Sequence, residues 1–261
     1  MNARTVSLLS ALLLLMAIGT GFCYPSLVGP VGLAVHPTAD VPAAGEVDLS
    51  VDFQDTKDFF GEIWLSRLTF GATDRLEVSV GYTAVQGQTS FDEGRLWQVA
   101  AKYLLLDRPD QGLKVAAGTG YLQFTNSWDV HGFGGYVVAS KDLTSPERQR
   151  DQIRLRGHLG VIYGGFKEHE GLTEFSDTVF RPWLGLEAIT PRGTTLAVEY
   201  RPRTSSFETH DIVGAVLRHP FTERLSAEVG TTNVFSDGEE QAVFLGLSYR
   251  LSGQDVPPPA P

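Results

Sequence analysis

Gly45-Glu46-Val47-Asp48-Leu49-Ser50-Val51-Asp52-Phe53 is the stretch that decides the fold. Val47, Leu49, Val51 and Phe53 share one face, and Glu46, Asp48, Ser50 and Asp52 share the other. Successive side chains of a β-strand point to opposite faces, so a period of two predicts a strand with one oily side and one polar side. The alternation returns along the rest of the chain. Leu76, Val78, Val80 and Tyr82 oppose Glu77, Ser79, Gly81 and Thr83. Ile153, Leu155, Leu159, Val161 and Tyr163 oppose Arg154, Arg156 and His158. Val243, Leu245, Leu247, Tyr249 and Leu251 oppose Gly246, Ser248 and Arg250.

About twelve strands follow from this pattern. They are expected at Glu46–Phe53, Phe60–Phe70, Arg75–Val85, Leu96–Leu106, Gly112–Phe124, His131–Lys141, Gln152–Phe166, Phe180–Ile189, Thr194–Arg203, Asp211–His219, Arg224–Thr232 and Gln241–Leu251. The connections alternate in length. Gly71–Asp74, Asp107–Gln111, Thr190–Gly193 and Pro220–Glu223 are short. Gln86–Gly94, Thr125–Val130, Lys167–Val179, Thr204–His210 and Asn233–Glu240 are longer and mostly polar. Asp142–Asp151 breaks the rule, being long where a short turn is due. Short turns on one rim and long loops on the other predict an all-β, up-and-down antiparallel transmembrane barrel. Many runs reach the roughly 9–11 residues of a tilted membrane-spanning strand. An even strand count puts both chain ends on the short-turn, periplasmic rim.

A charge facing the bilayer centre costs a barrel roughly 2–4 kcal/mol. The charged faces are therefore expected to line the lumen, with Glu77, Lys102, Lys114, Arg154, Arg156, His158, Glu199, Arg201, Arg224, Glu228 and Arg250 as the lumen candidates. Their apolar partners would meet lipid, and Tyr82, Tyr103, Tyr163, Tyr200 and Tyr249 would form an interfacial girdle. Charges of both signs in a narrow interior are expected to neutralise one another. In a wetter interior Lys102, Lys114, Arg154, Arg156 and Arg201 would attract anionic sugars. A soluble lipocalin-like carrier has the same periodicity but the opposite facing, so periodicity alone leaves it open.

Composition sets further bounds. The 261 residues carry a net charge of −10, which argues against a nucleic-acid partner. Residues 1–23 read as a secretory signal peptide: Arg4 is the positive start, Val6–Ile18 the apolar core, and Gly19, Gly21 and Cys23 offer small residues for cleavage. Cys23 is the one cysteine, so neither an intrachain disulfide nor a multi-cysteine zinc site can form. Phe22 before it makes a poor lipidation box. Residues 24–44 hold Pro25, Pro30, Pro37 and Pro42 and suit neither strand nor helix. Whether this segment enters the lumen as a plug stays open. The barrel is expected over residues 45–251, and 252–261 is a Pro-rich tail.

No metal spacing, nucleophile elbow or cofactor motif is present in the sequence, so no catalytic residue, metal ligand or cofactor is expected. His169, in Lys167-Glu168-His169-Glu170, is read as a solvated loop residue. The expected partners are outer-membrane lipid and the barrel assembly machinery. Gly246-Leu247-Ser248-Tyr249-Arg250-Leu251 resembles the final-strand signal read by that machinery, with Phe244 in a slot that is usually polar.

Two segments also carry a family resemblance. Val31-Gly32-Leu33-Ala34-Val35-His36-Pro37-Thr38-Ala39-Asp40-Val41, followed by Gly45-Glu46, resembles the opening motif of YjbH-like outer-membrane proteins. Gly135-Tyr136-Val137-Val138-Ala139-Ser140-Lys141 is similar to a strand of the same family, and Phe70–Glu77 fits its short turn and following strand. The resemblance implies an outer-membrane barrel with a structural or transport role in surface exopolysaccharide export or assembly. Polysaccharide and polysaccharide-export proteins are then the implied partners. An outer-membrane enzyme acting on lipid or peptide is the competing expectation.

Overall fold

The structure is a computed structural model. It describes residues 30–55, 62–86, 94–125, 129–145, 152–170, 173–202, 211–232 and 242–252. The segment expected to be a signal peptide, with Cys23, and the tail after Ser252 lie outside the described residues.

Among the described residues twelve strands close one antiparallel barrel. They are β1 (Val47–Asp55), β2 (Glu62–Thr73), β3 (Leu76–Gln86), β4 (Gly94–Arg108), β5 (Leu113–Thr125), β6 (Asp129–Asp142), β7 (Arg154–Glu170), β8 (Thr173–Ile189), β9 (Thr195–Arg201), β10 (Ile212–Pro220), β11 (Leu225–Thr232) and β12 (Ala242–Ser252). Each strand pairs with its neighbours in sequence. β1 also pairs with β12, with Val51 opposite Leu247, and this seam removes both sheet edges.

The facing follows the alternation. Leu49 and Val51 of β1 are exposed, while Asp48, Ser50 and Asp52 are buried. Val99, Leu159, Leu196 and Leu245 are exposed on the outside, Leu159 to 65% and Leu245 to 57%. Glu77, Lys102 and Glu199 are each only 1% exposed on the inside. This arrangement is a soluble barrel turned inside out, and it removes the lipocalin-like alternative. Tyr103 and Tyr249 face outward towards the short-turn rim. Trp64 and Trp97 face outward towards the other rim, where Phe53 packs on Trp64 and Tyr82 on Trp97. Two aromatic levels around an apolar wall are the form of a bilayer-spanning barrel.

One expected loop is strand instead. The pattern predicts its longest loop over Lys167–Val179, but β7 runs on to Glu170 and β8 begins at Thr173, with Glu170 opposite Thr173. His169 therefore sits on β7, opposite Asp129 and Glu174. The reason is height. A 17-residue strand spans about 56 Å at ~3.3 Å per residue, more than the ~25 Å apolar band needs even when tilted. The end of this hairpin rises beyond the lipid, where no oily face is required and the sequence loses its alternation. β9 and β11, with 7 and 8 residues, barely cross. Within the described residues, the strands are thus longest at β7–β8 and shorter at β9 to β11 beside them.

If the outer face meets lipid, Val99→Arg should destabilise the barrel by about 2–4 kcal/mol. Reversible urea unfolding in lipid vesicles measures it. A change below about 0.5 kcal/mol, as expected of a solvated position, would contradict the assignment.

Candidate functional site: a lumen occupied by the N-terminal segment

Residues 30–42 do not lie along the outside of the barrel. They run into it, and Val31, Leu33, Ala34, His36, Thr38 and Ala39 are all buried there. The segment makes one bridge with itself, Gly32 to Pro37, with Leu33 N–H donating to His36 O at 2.7 Å. A short irregular loop of this kind leaves most of its peptide groups unpaired. Buried peptide groups need partners, and the lumen side chains supply them.

Each anchor is a charged or polar group on a different strand. On β3 and β4, Glu77 and Lys102 form an ion pair at 2.7 Å and hold the peptide of Val31 from both ends. Glu77 accepts the Val31 N–H at 2.8 Å, and Lys102 donates to the Val31 carbonyl at 3.0 Å. On β9, Glu199 accepts the N–H groups of Val35 and His36 at 2.7 and 3.1 Å and contacts His36 Nδ1 at 3.1 Å. On β10, Arg218 donates to the carbonyls of Gly32 and Leu33 at 2.7 and 2.5 Å. On β6, Ser140 Oγ accepts the Ala39 N–H at 2.9 Å. The imidazole of His36 stacks on Trp183 of β8 at 5.0 Å. Gly185, two residues on, leaves the space that the Leu33 side chain fills; any Cβ there would strike Leu33.

Behind these contacts runs a second layer. Arg218 also donates to Glu228 of β11 at 2.7 Å, and Glu228 lies 3.8 Å from Arg67 of β2. Arg67 in turn donates to Ser50 at 3.0 Å and pairs with Asp52. Gly246 on β12 leaves the room through which Asp52 and Glu228 approach. On the other side Ser140 Oγ lies 2.8 Å from His158 Nδ1, and His158 Nε2 lies 3.1 Å from Glu187. At the short-turn rim Asp40 takes Lys114 at 3.0 Å and both terminal nitrogens of Arg156, and Arg156 also approaches Asp142. Burial pushes the Asp40 carboxyl up, but Arg156 and Lys114 outweigh that and hold it well below the usual carboxylate range. Arg250 pairs with Glu46 at 2.6 Å, closing the rim beneath β1.

Of the lumen candidates, the structure brings Glu77, Lys102, Lys114, Arg156, His158, Glu199 and Glu228 into this network. Arg201 is buried on the Glu199 face of β9, and Arg154 is half-buried at the start of β7. Arg224 is the exception. It is exposed in the turn before β11, so it does not face the lumen. A strand read one residue too long placed it there. Asp40, His36, Asp52, Arg67, Ser140, Trp183, Glu187 and Arg218 are the site residues that the sequence reading left out. Arg67, Ser140, Glu187 and Arg218 lie at inward positions of their strands, so the alternation carried their signal. His36 and Asp40 sit in a segment with no period and had none. The interior is also less polar than expected: Trp183, Phe244 and Leu104 face inward and are buried.

Neither a family model nor a curated protein matches the sequence. Among solved structures, the chain resembles the KdgM porin in complex with disordered oligogalacturonate. Identity is 11%, the match covers 78% of this chain and 98% of that one, and the TM-score is 0.53. It also resembles the NanC porin, at 16% identity over 78% of this chain and 100% of that one, with a TM-score of 0.52. Likeness at these identities establishes the fold, which is that of outer-membrane barrels. With the apolar outer wall, it places the chain in an outer membrane.

Two measurements probe the network. Arg218→Met leaves two segment carbonyls and Glu228 without their donor. Removing one partner of a buried pair costs roughly 3–5 kcal/mol, so the urea midpoint in vesicles should fall by a corresponding amount; an unchanged midpoint would place Arg218 outside the network. Asp40 sets a pH dependence. A carboxyl with a depressed folded pKa stabilises fully above its unfolded value of about 3.9, and loses that contribution as pH falls below it towards the folded value. The stability gap between the natural chain and Asp40→Asn should hold constant from pH 8 to about 4.5 and shrink below about 4. A gap that shrinks between pH 7 and 5 would contradict the clamp.

Proposed function

We propose that this protein is an outer-membrane barrel with a structural or transport role linked to surface exopolysaccharide, closed at rest by its own N-terminal segment. The carrying observation is the use of the lumen charges. Glu77, Lys102, Glu199 and Arg218 all hold backbone of residues 31–36. The solved neighbour KdgM is a porin in complex with oligogalacturonate. Here Lys102, Lys114, Arg156 and Arg218, the cations an acidic sugar chain would meet, are engaged by the segment. Withdrawal of the segment would turn them towards the lumen, and sugar carboxylates would take the place of its carbonyls and of Asp40.

The polysaccharide link rests on the YjbH-like resemblance, and the three quoted pieces of that resemblance meet in space. Val31 and Ala39 bond Glu77 and Ser140, and Gly45 N–H donates to Gly71 O. The reading is non-enzymatic. Ser140, His158 and Glu187 are linked as a nucleophile, a base and its orienting acid would be, but Ser140 Oγ is fully buried and already occupied by the Ala39 N–H.

Planar-bilayer recording tests the plug. The natural chain should be silent or nearly so, and deletion of residues 24–40 should give a stable conductance. Equal conductance from both proteins would contradict the proposal. In the source cell, loss of the protein should lower surface exopolysaccharide; an unchanged amount would remove that link.

A further inference from the structure

The seat that residues 32–36 occupy in the lumen has a chemistry of its own. Three groups from three neighbouring strands converge on it. Trp183 of β8 offers an indole face, on which the His36 imidazole lies with 21° between the ring planes. Glu199 of β9 accepts the Val35 and His36 N–H groups and contacts His36 Nδ1. Arg218 of β10 donates to the Gly32 and Leu33 carbonyls. Beside the indole, Gly185 leaves the hollow that the Leu33 side chain fills. The seat is therefore an aromatic platform with an acceptor carboxylate, a forked donor and an open floor around it.

Holding backbone requires no such platform. Glu77, Lys102 and Ser140 hold Val31 and Ala39 by hydrogen bonds. The spacing of the seat is also narrow. Ala34 alone separates the carbonyls held by Arg218 from the N–H groups held by Glu199, which is at most about 7 Å of chain. Once the segment leaves, Arg218 keeps Glu228 and Lys102 keeps Glu77. Glu199 loses every partner it has among the described residues. A buried carboxylate without donors is costly, so whatever replaces the segment there must donate.

We infer that the seat of His36 is a subsite for one pyranose ring of a polysaccharide. This deepens the reading of a barrel closed by its own segment, and rests on it. The C–H face of the ring lies against the electron-rich face of Trp183. Two neighbouring hydroxyls donate to Glu199 in charge-assisted bonds. An oxygen across the ring accepts from Arg218. The ring needs no charge of its own, because Arg218 and Lys102 retain their carboxylates. His36 stands in for the sugar ring in the closed barrel, and Leu33 for the substituent beside it.

The test uses the full chain in lipid nanodiscs with its segment unseated by Gly32→Val and Asp40→Lys. A Cβ at Gly32 would strike the His36 carbonyl and Pro37, so the bridge between Gly32 and Pro37 is lost. Asp40→Lys sets a third cation against Lys114 and Arg156 and provides a trypsin site, whose cleavage reports that the segment has left. Heat-modifiable gel migration checks that each variant remains a barrel. Tritiated cellotriose, a neutral sugar with flat C–H faces and equatorial hydroxyls, is the probe, read by equilibrium dialysis against empty nanodiscs. Saturable binding by the unseated chain is expected. It should be weaker by about tenfold or more in the natural chain, and in the unseated chain with Trp183→Leu or Glu199→Gln added. Trp183→Phe should restore part of it. A synthetic peptide of residues 30–42 is the second ligand. Peptide binding without cellotriose binding would overturn the sugar subsite and leave the plug standing. Equal, Trp183-dependent sugar binding by the natural and unseated chains would contradict the plug and uphold the subsite. Binding of neither ligand would overturn both, and sugar binding undiminished by Trp183→Leu would overturn the subsite.

Discussion

A charge has no stable place on the outside of a membrane barrel and no cheap place on the inside of a narrow one. The first half of that constraint drives Glu77, Lys102, Arg67, Glu199, Arg218 and Glu228 into the lumen of this protein. The second half requires each to find a counter-charge or a peptide dipole once there. Strand-to-strand ion pairs meet part of the requirement, as between Glu77 and Lys102. The N-terminal segment meets the rest. Its own difficulty is the mirror image, since thirteen residues without regular structure enter the buried lumen with most of their N–H and C=O groups unpaired among themselves. Wall and segment thus each supply what the other lacks, and neither is satisfied alone.

The same constraint explains where the glycines inside the barrel fall. Large inward residues need space from a neighbouring strand. Gly160 gives it to Trp183, Gly118 to Tyr136, Gly230 to Phe244, and Gly185 to Leu33 of the segment. Where glycines face one another instead, at Gly120, Gly134 and Gly164, the strands present bare backbone at those positions.

The sequence made the barrel legible because the bilayer forces a period of two on every crossing. Val47 to Phe53 and Val243 to Leu251 alternate for that reason, and their facing followed from the cost of a charge in lipid. Legibility ended where the bilayer ends. Lys167–Val179 rises past the lipid, loses its oily face and reads as loop while remaining strand. Arg224 sits just outside β11, where strand and turn share the same pattern. Phe244 occupies a slot of the final-strand signal that is usually polar, and it turns inward, where Gly230 across the pair accommodates it. The segment at residues 30–42 was unreadable in a different way. Its position is fixed by partners 46 to 186 residues away, and no local pattern records them.

The most direct test of the account is whether the N-terminal segment occupies the lumen in a membrane. Leu33→Cys and Gly185→Cys, in a chain with Cys23 replaced by serine, place two thiols where the Leu33 side chain meets β8. Mild oxidation of the protein in outer membranes should join them, giving a single cross-linked peptide on proteolysis and little labelling by a membrane-impermeant maleimide. Two free, readily labelled cysteines in a barrel that is still heat-modifiable would contradict the account.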